Sequence, residues 1–224
     1  MISTIKKYEK VLTFPPRSND LAEFTGIHYG DGALYKENKY NYKIYYSFNL
    51  SKDLKFSKYF LSLFYNLFHL KLHIYLRPKR NAIELGIRCK RLYFFLKDKL
   101  NFPVGKKEHL SIPSYIKKNK SFLSCFLRGL FDTDGCITFQ KGKYLRIKIC
   151  TKDKNFAEEI KSNLNDLKIK SCIGKKTGLR NNTLCTGYDI IIGSKNAITF
   201  FKKVGSSNSR NYLKYEKWGR RDSH

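Results

Sequence analysis

Hydrophobic and polar positions change period several times along the chain, and the same succession of changes occurs twice. Near residue 20 a polar start, Asp20 with Glu23 three residues on, opens an apolar run that ends at Asp31-Gly32. A second such run opens at Ser121 and ends at Asp134-Gly135. Capping-box spacing at the first start and Asp-Gly at both ends predict two short helices, with glycine taking a turn that helix continuation forbids. Alternation of Tyr, Ile and Lys, as in Tyr40 to Tyr46 and Leu145 to Ile149, then predicts half-exposed strands. These are 33–38 and 41–48 in the first stretch, 136–141 and 144–151 in the second. A helical period returns after Asp53 and after Asp153, each placed as an N-cap. Phe56, Phe60, Leu63, Phe64 and Leu67 mark one buried face, matched by Phe156, Ile160, Leu164 and Leu167. Strand pairs at 72–78 and 82–88, and at 169–176 and 186–192, precede a closing helix in each half. The predicted class is α+β: two pseudo-symmetric α-β-β-α-β-β-α repeats with antiparallel sheets.

Residue identities support the duplication. Phe24 to Gly32 and Leu127 to Gly135 both carry Gly-[Ile/Leu]-x-x-x-Asp-Gly, with the acids 103 residues apart. Ser51-Lys52-Asp53-x-x-Phe56 matches Thr151-Lys152-Asp153-x-x-Phe156 at an offset of 100. Cys89-Lys90 with Phe95 and Lys97 matches Ser194-Lys195 with Phe200 and Lys202 at an offset of 105. Gly105, followed by Lys106 and Lys107, matches Gly205, followed by Arg210. Four matches in the same order divide the chain into an N-terminal repeat (1–110), a linker around Pro113 (111–120) and a C-terminal repeat (121–224).

Composition narrows the class. An apolar content of 42% with 15% aromatics suits a folded core rather than a disordered chain. The 45 Lys and Arg against 18 Asp and Glu leave a formal charge of +27, so a polyanion is the expected partner. Nucleic acid leads; an anionic membrane surface or a ribosomal-type RNA site are the alternatives. The strongest apolar stretch, Tyr59 to Leu72, is broken by Asn66, His69 and Lys71, which argues against a membrane span. Six cysteines stand singly with no C-x-x-C pair, which argues against a zinc ribbon and for reduced thiols. No secretory or transit signal is read, so the expected site of action is where the chain is made: a prokaryotic cytoplasm or a genome-bearing organelle.

The candidate chemistry lies at the two Asp-Gly ends. One such pair reads as a turn. Two, each with a glycine five residues before the acid, read differently: Gly26 and Gly129 would let two helices pack closely about a pseudo-twofold axis. That packing would bring Asp31 and Asp134 together, and adjacent carboxylates ionise cheaply only with a cation between them. A shared Mg²⁺ in a basic groove suits attack of water on a phosphodiester.

Phe126 to Gly135 resembles the second signature of the LAGLIDADG homing endonucleases, in the form of archaeal and intein-type members. Leu21 to Gly32 is similar to the first signature but departs from it, with Tyr29 and Gly30 where the motif has its first Asp and the next small residue. The resemblance covers almost the whole chain and lacks intein splice junctions, so it implies a free-standing, intron-type, monomeric enzyme. Its fold would be a saddle of antiparallel sheets around two central LAGLIDADG helices. It implies cleavage of both strands of a long, asymmetric double-stranded DNA target with a divalent metal. Mg²⁺ is the expected ion, with Mn²⁺ or Ca²⁺ able to substitute for binding.

By that resemblance Asp31 and Asp134 hold metal at the two scissile phosphates, and Gly30 and Thr133, one before each acid, are counted with them. Lys107 and Arg210 are the expected basic partners. Lys152 resembles the polar position ending the second strand; in the first repeat that place falls to Lys52 by offset, or to Phe48 or Asn49. The sheets would lie in successive major grooves. Ala33, Tyr35, Glu37 and Lys39 would face DNA from one side, Cys136, Thr138 and Gln140 from the other. Lys43, Arg77, Arg80, Arg88, Arg146, Lys148, Lys175 and Arg180 are the candidate groove or phosphate contacts. His28 and Tyr29 read as helix-interface packing, Trp218 as a C-terminal anchor. An intron-RNA maturase, or a DNA-binding repressor without cleavage, is the alternative on the same scaffold.

Overall fold

The structure, a computed structural model, describes residues 12, 14–38, 41–141, 143–180 and 183–219. Helix α1 (Asn19–Asp31) feeds β1 (Gly32–Asn38) and β2 (Asn41–Asn49), followed by α2 (Leu54–Phe68), β3 (His73–Arg77) and β4 (Ala82–Arg88). Helix α3 (Lys90–Phe94) runs on through a π-turn at Phe95–Lys99 and closes the first repeat. A short helix α4 (Ser114–Lys117) lies in the linker. The second repeat repeats the order: α5 (Lys120–Asp134), β5 (Gly135–Gln140), β6 (Tyr144–Thr151), α6 (Lys154–Asp166), β7 (Cys172–Arg180), β8 (Thr183–Ile192), α7 (Ser194–Lys203) and α8 (Ser209–Gly219). Both sheets are antiparallel with the same permuted order, β1-β2-β4-β3 and β5-β6-β8-β7.

Period-2 alternation decides which face of each sheet is covered. In the first sheet Leu34, Ile44, Tyr46, Phe48, Ile83, Leu85 and Ile87 are buried. The register pairs Tyr35 with Lys43 and Lys43 with Arg88 on the opposite face. In the second sheet Ile137, Ile147, Ile149, Ile190 and Ile192 are buried, while Thr138 pairs with Arg146 across the open face. Beneath the first sheet Phe24 meets Phe60, Phe64 and Phe68 with ring centroids 5.1–6.3 Å apart. Each fully buried ring contributes about 1.5–3 kcal/mol of transfer free energy.

Helices α1 and α5 form the spine between the repeats. From Leu21 to Tyr29 every residue of α1 is buried, because one side meets its own sheet and the other meets α5. A Cβ added at Gly26 would stand 2.0 Å from the Phe126 carbonyl oxygen, and one at Gly129 would stand 2.2 Å from that of Glu23. Backbone therefore lies on backbone at the crossing.

Several local expectations are corrected. The first helix is capped by Ser18, whose hydroxyl accepts from Leu21 N at 3.2 Å, and the second by Asn119. Glu23 is not a capping-box acid. It is buried beneath the crossing, paired with Arg128 of the other repeat at 3.2 Å and accepting from Tyr59 and Ser207. Asp153 caps α6 through Phe156 N, but Asp53 makes no cap bond to α2. Strands β7 (Cys172–Arg180) and β8 (Thr183–Ile192) extend beyond the expected 169–176 and 186–192 towards each other. Lys175 to Leu179 are exposed, so no buried face marks that length in the sequence. The linker is also anchored: Ile112 and Ile116 are buried, and Glu159 accepts from Ile112 N and Lys117.

Candidate active site

Asp31 and Asp134 end the two spine helices, so the crossing that requires Gly26 and Gly129 also sets the acids beside each other. Both are partly exposed at the rim of the interface. Burial raises Asp31 to about 7, and the neighbouring Asp134 and Asp53 push it the same way against Lys107 and Arg210. Burial raises Asp134 to about 6, with Lys107 opposing. Two carboxylates that repel and lack full solvation favour either a shared proton or a cation.

The sign of this coupling is testable in the metal-free protein. A carboxyl whose folded value lies above its ordinary one stabilises the fold fully at low pH, and that contribution is lost as pH rises through the folded value. Stability should therefore fall between about pH 4 and pH 7. Asp31→Asn should exceed the parent protein at pH 8 by on the order of 1–3 kcal/mol, the gap closing towards pH 4. Urea denaturation at both pH values measures it.

The basic partners are held differently. Gly105 and Gly205, with φ of 75° and 72°, occupy left-handed backbone at matching places in the repeats. From the first, Lys107 reaches back over the end of α1, and its ammonium donates to the Tyr29 carbonyl at 2.9 Å and to that of Gly30. Burial lowers the Lys107 ammonium, while Asp134 and Asp31 support its charge. From the second, Arg210 pairs with Asp53 at 3.4 Å. Asn208 also donates to Asp53, at 2.9 Å.

Asp132, the first acid of the Asp-Thr-Asp-Gly run, organises this second arm. Its buried carboxylate accepts from Ser206, from the backbone of Ser207 at 2.6 Å and Asn208 at 3.2 Å, and from Asn211. Burial raises it to about 7 against the pull of those donors. Tyr29 takes the equivalent place in α1, where it packs on Phe102 and Phe126 and donates to the Ser111 carbonyl.

A cleft of about 430 Å³ opens on the Asp31 side, lined by Asp31, Ser47, Asn49, Lys52, Asp53, Thr133 and Arg210 among others. The structure thus brings Lys52 and Asn49 into the cleft with Asp31 and buries Phe48. Lys152, at the matching turn of the second repeat, is exposed and outside that lining. The Thr133 hydroxyl donates back to Gly129 and Leu130, and Gly30 touches that side chain. For a cation, these two residues offer their backbone carbonyls.

The other expected contacts are scattered over the open faces. Tyr35, Glu37, Arg77, Arg80, Arg88 and Gln140 are exposed, and Lys43, Thr138, Arg146 and Lys148 are half-exposed. Arg77 is tied to Glu84 at 3.1 Å, and Glu37 accepts from Asn41. Lys148 shares Asp189 with Lys176, so Lys176 joins the open face while the register turns Lys175 to the other side. Lys39 lies outside the described residues, as does the side chain of Arg180. His28 is buried against Phe102 with its ring nitrogen 3.0 Å from the Tyr46 hydroxyl, and burial keeps it neutral. Trp218 donates to the Lys143 carbonyl, fastening α8 to the β5–β6 turn.

Asp53, Asp132 and Asn208 are the residues that sequence reasoning missed. Asp53 and Asp153 match by repeat, and nothing local distinguishes the one that caps a helix from the one that turns to Arg210.

Known proteins share this fold. A family model described as a LAGLIDADG-like domain matches residues 121–205. The homing endonuclease I-DmoI in complex with DNA and Ca aligns over 88% of this chain and 97% of its own, with TM-score 0.61 and 20% identity.

This is a LAGLIDADG-fold protein.

I-WcaI, a homing endonuclease bound to its DNA recognition sequence, aligns over 93% of this chain and 90% of its own (TM-score 0.62, 17% identity). The N-terminal LAGLIDADG domain of DUF199/WhiA aligns over 86% and 83% (TM-score 0.57, 18% identity). A DNA polymerase of Thermococcus litoralis is 29% identical over 131 residues, which span 57% of this chain but 8% of that protein. Helices α1 and α5 are the paired helices at the centre of this fold, and the two acids stand at their ends.

Proposed function

We propose that this LAGLIDADG protein is a site-specific DNA endonuclease that cuts both strands of a long, asymmetric target, using a divalent metal. The observation that carries the reading is the meeting of Asp31 and Asp134 at the helix crossing, flanked by Lys107 and Arg210, beneath two open basic sheet faces. A binding protein has no use for two acids in the place where phosphate must approach.

The residues fit a metal. The two carboxylates lie where burial and mutual repulsion favour a cation, and the Thr133 and Gly30 carbonyls are hard oxygen donors. Among the described residues no three His, Cys, Asp or Glu side chains come together as a complete cage. Mg²⁺ suits such a site, taking one or two carboxylates and completing its shell with water and substrate phosphate. When bound, the ion polarises phosphate oxygen and makes water a better nucleophile. Asp31 and Asp134 would hold divalent metal at the crossing, Lys107 and Arg210 would supply positive charge beside the phosphate, and the sheets would orient the duplex. Unequal halves, with Glu37 opposite Gln140 in the repeat, suit an asymmetric target.

Incubation with a randomised-site plasmid library, in Mg²⁺ and in EDTA, tests the reading. The expected outcome is Mg²⁺-dependent double-strand breaks at one recurring, long, imperfectly palindromic site. Saturating binding without breaks would support the maturase or repressor reading instead.

A further inference from the structure

The two halves of the site are not equivalent, and the difference lies in what occupies the helix ends. At the end of α1 the ammonium of Lys107 is seated on the carbonyl oxygens of Tyr29 and Gly30. Its charge couples first to Asp134 and then to Asp31. Backbone oxygens at a helix C-terminus, beside carboxylates, are the donors a hard divalent cation takes. A lysine ammonium and a divalent ion compete for such a place and repel each other there.

Arg210 does not mirror this. Its guanidinium is drawn to Asp53, which Asn208 also holds, and Asn208 is bound through its backbone to Asp132. Among the described residues that chain of contacts has no counterpart around Lys107, because Tyr29 stands where Asp132 does. The Asp31 side opens into the cleft, with Thr133 in its wall.

Resting on the metal-dependent reading above, we propose that Lys107 occupies one of two cation positions, the one formed by Asp134 and the Gly30 carbonyl. The DNA-free protein then takes up a single divalent ion, held by Asp31 on the cleft side. A second ion enters only when Lys107 leaves its seat, as it would when a DNA phosphate draws the ammonium away. Loading of the second position is thereby tied to substrate binding.

Titration of the DNA-free protein with Mn²⁺, counting bound ions by electron paramagnetic resonance, tests this. The parent protein should bind one Mn²⁺, and Lys107→Met two. Asp31→Asn should weaken the single site at least about tenfold, whereas Asp134→Asn should leave it in place. Two equivalent ions on the parent protein, or one on a folded Lys107→Met, would overturn the proposal while leaving the metal-dependent reading intact. Should Lys107→Met not fold, the Asp31 and Asp134 variants still decide, since loss of the ion on Asp134→Asn alone reverses the assignment. No Mn²⁺ on any of the proteins would overturn both.

Discussion

Asp134→Asn is expected to lower cleavage of at least one DNA strand by more than about a hundredfold, the scale on which loss of one charge-stabilising group disables such sites. Asp31→Asn should do the same. Asparagine keeps the size of the side chain and removes the charge that would hold a cation, so metal-dependent chemistry is lost without a packing defect. Duplex affinity should be retained or rise, because a carboxylate facing phosphate has gone. Stability should not fall either, since each carboxylate is destabilised by burial and removal of its charge relieves that. This combination separates a chemical role from a structural one. Inactivity through unfolding would bring down binding and stability together, whereas here activity alone drops.

The second large effect is structural. Gly26→Val or Gly129→Val should cost more than about 3 kcal/mol and leave little folded protein. Even the first added carbon meets a backbone oxygen of the partner helix, at 2.0 Å for Gly26 and 2.2 Å for Gly129. Neither helix can retreat easily. Each lies between its partner and its own sheet, and Glu23 and Arg128 tie the two together at 3.2 Å. The loss would appear as a lowered urea midpoint or as insoluble protein. A valine at Gly178, which has open space around its Cβ position, is the matched control and should change stability by less than about 0.5 kcal/mol.

Much of this molecule is legible because it is written twice and its sheets have one covered face. Alternation along Tyr42 to Phe48 and Leu145 to Ile149 marks strands whose bounds the structure reproduces within a residue or two. Asp31 and Asp134 could be picked out because glycine, spacing and repetition coincide at two places. Other features depend on neighbours more than a hundred residues away, which no local pattern reports. Glu23 has the spacing of a capping acid, yet it is a buried partner of Arg128. Helix α1 has no polar face to read, since it is enclosed on all sides. Asp53 turns from its own helix to Arg210 because the second repeat brings Asn208 and Arg210 to it. The position of Lys107 depends on a left-handed turn at Gly105, and sequence can suggest its proximity to the acids but not its seat on the helix carbonyls.

We propose that the paired acids at the helix crossing cut both strands of a duplex with a divalent metal. One duplex carrying the selected site, end-labelled on each strand in turn and incubated with Mg²⁺ or EDTA, tests it directly with the parent protein and Asp134→Asn. The expected result is Mg²⁺-dependent cuts on both strands by the parent protein, none in EDTA, and loss of at least one strand's cut in Asp134→Asn with binding retained. Cutting of both strands by Asp134→Asn at the parent rate, or cutting that persists in EDTA, would contradict it.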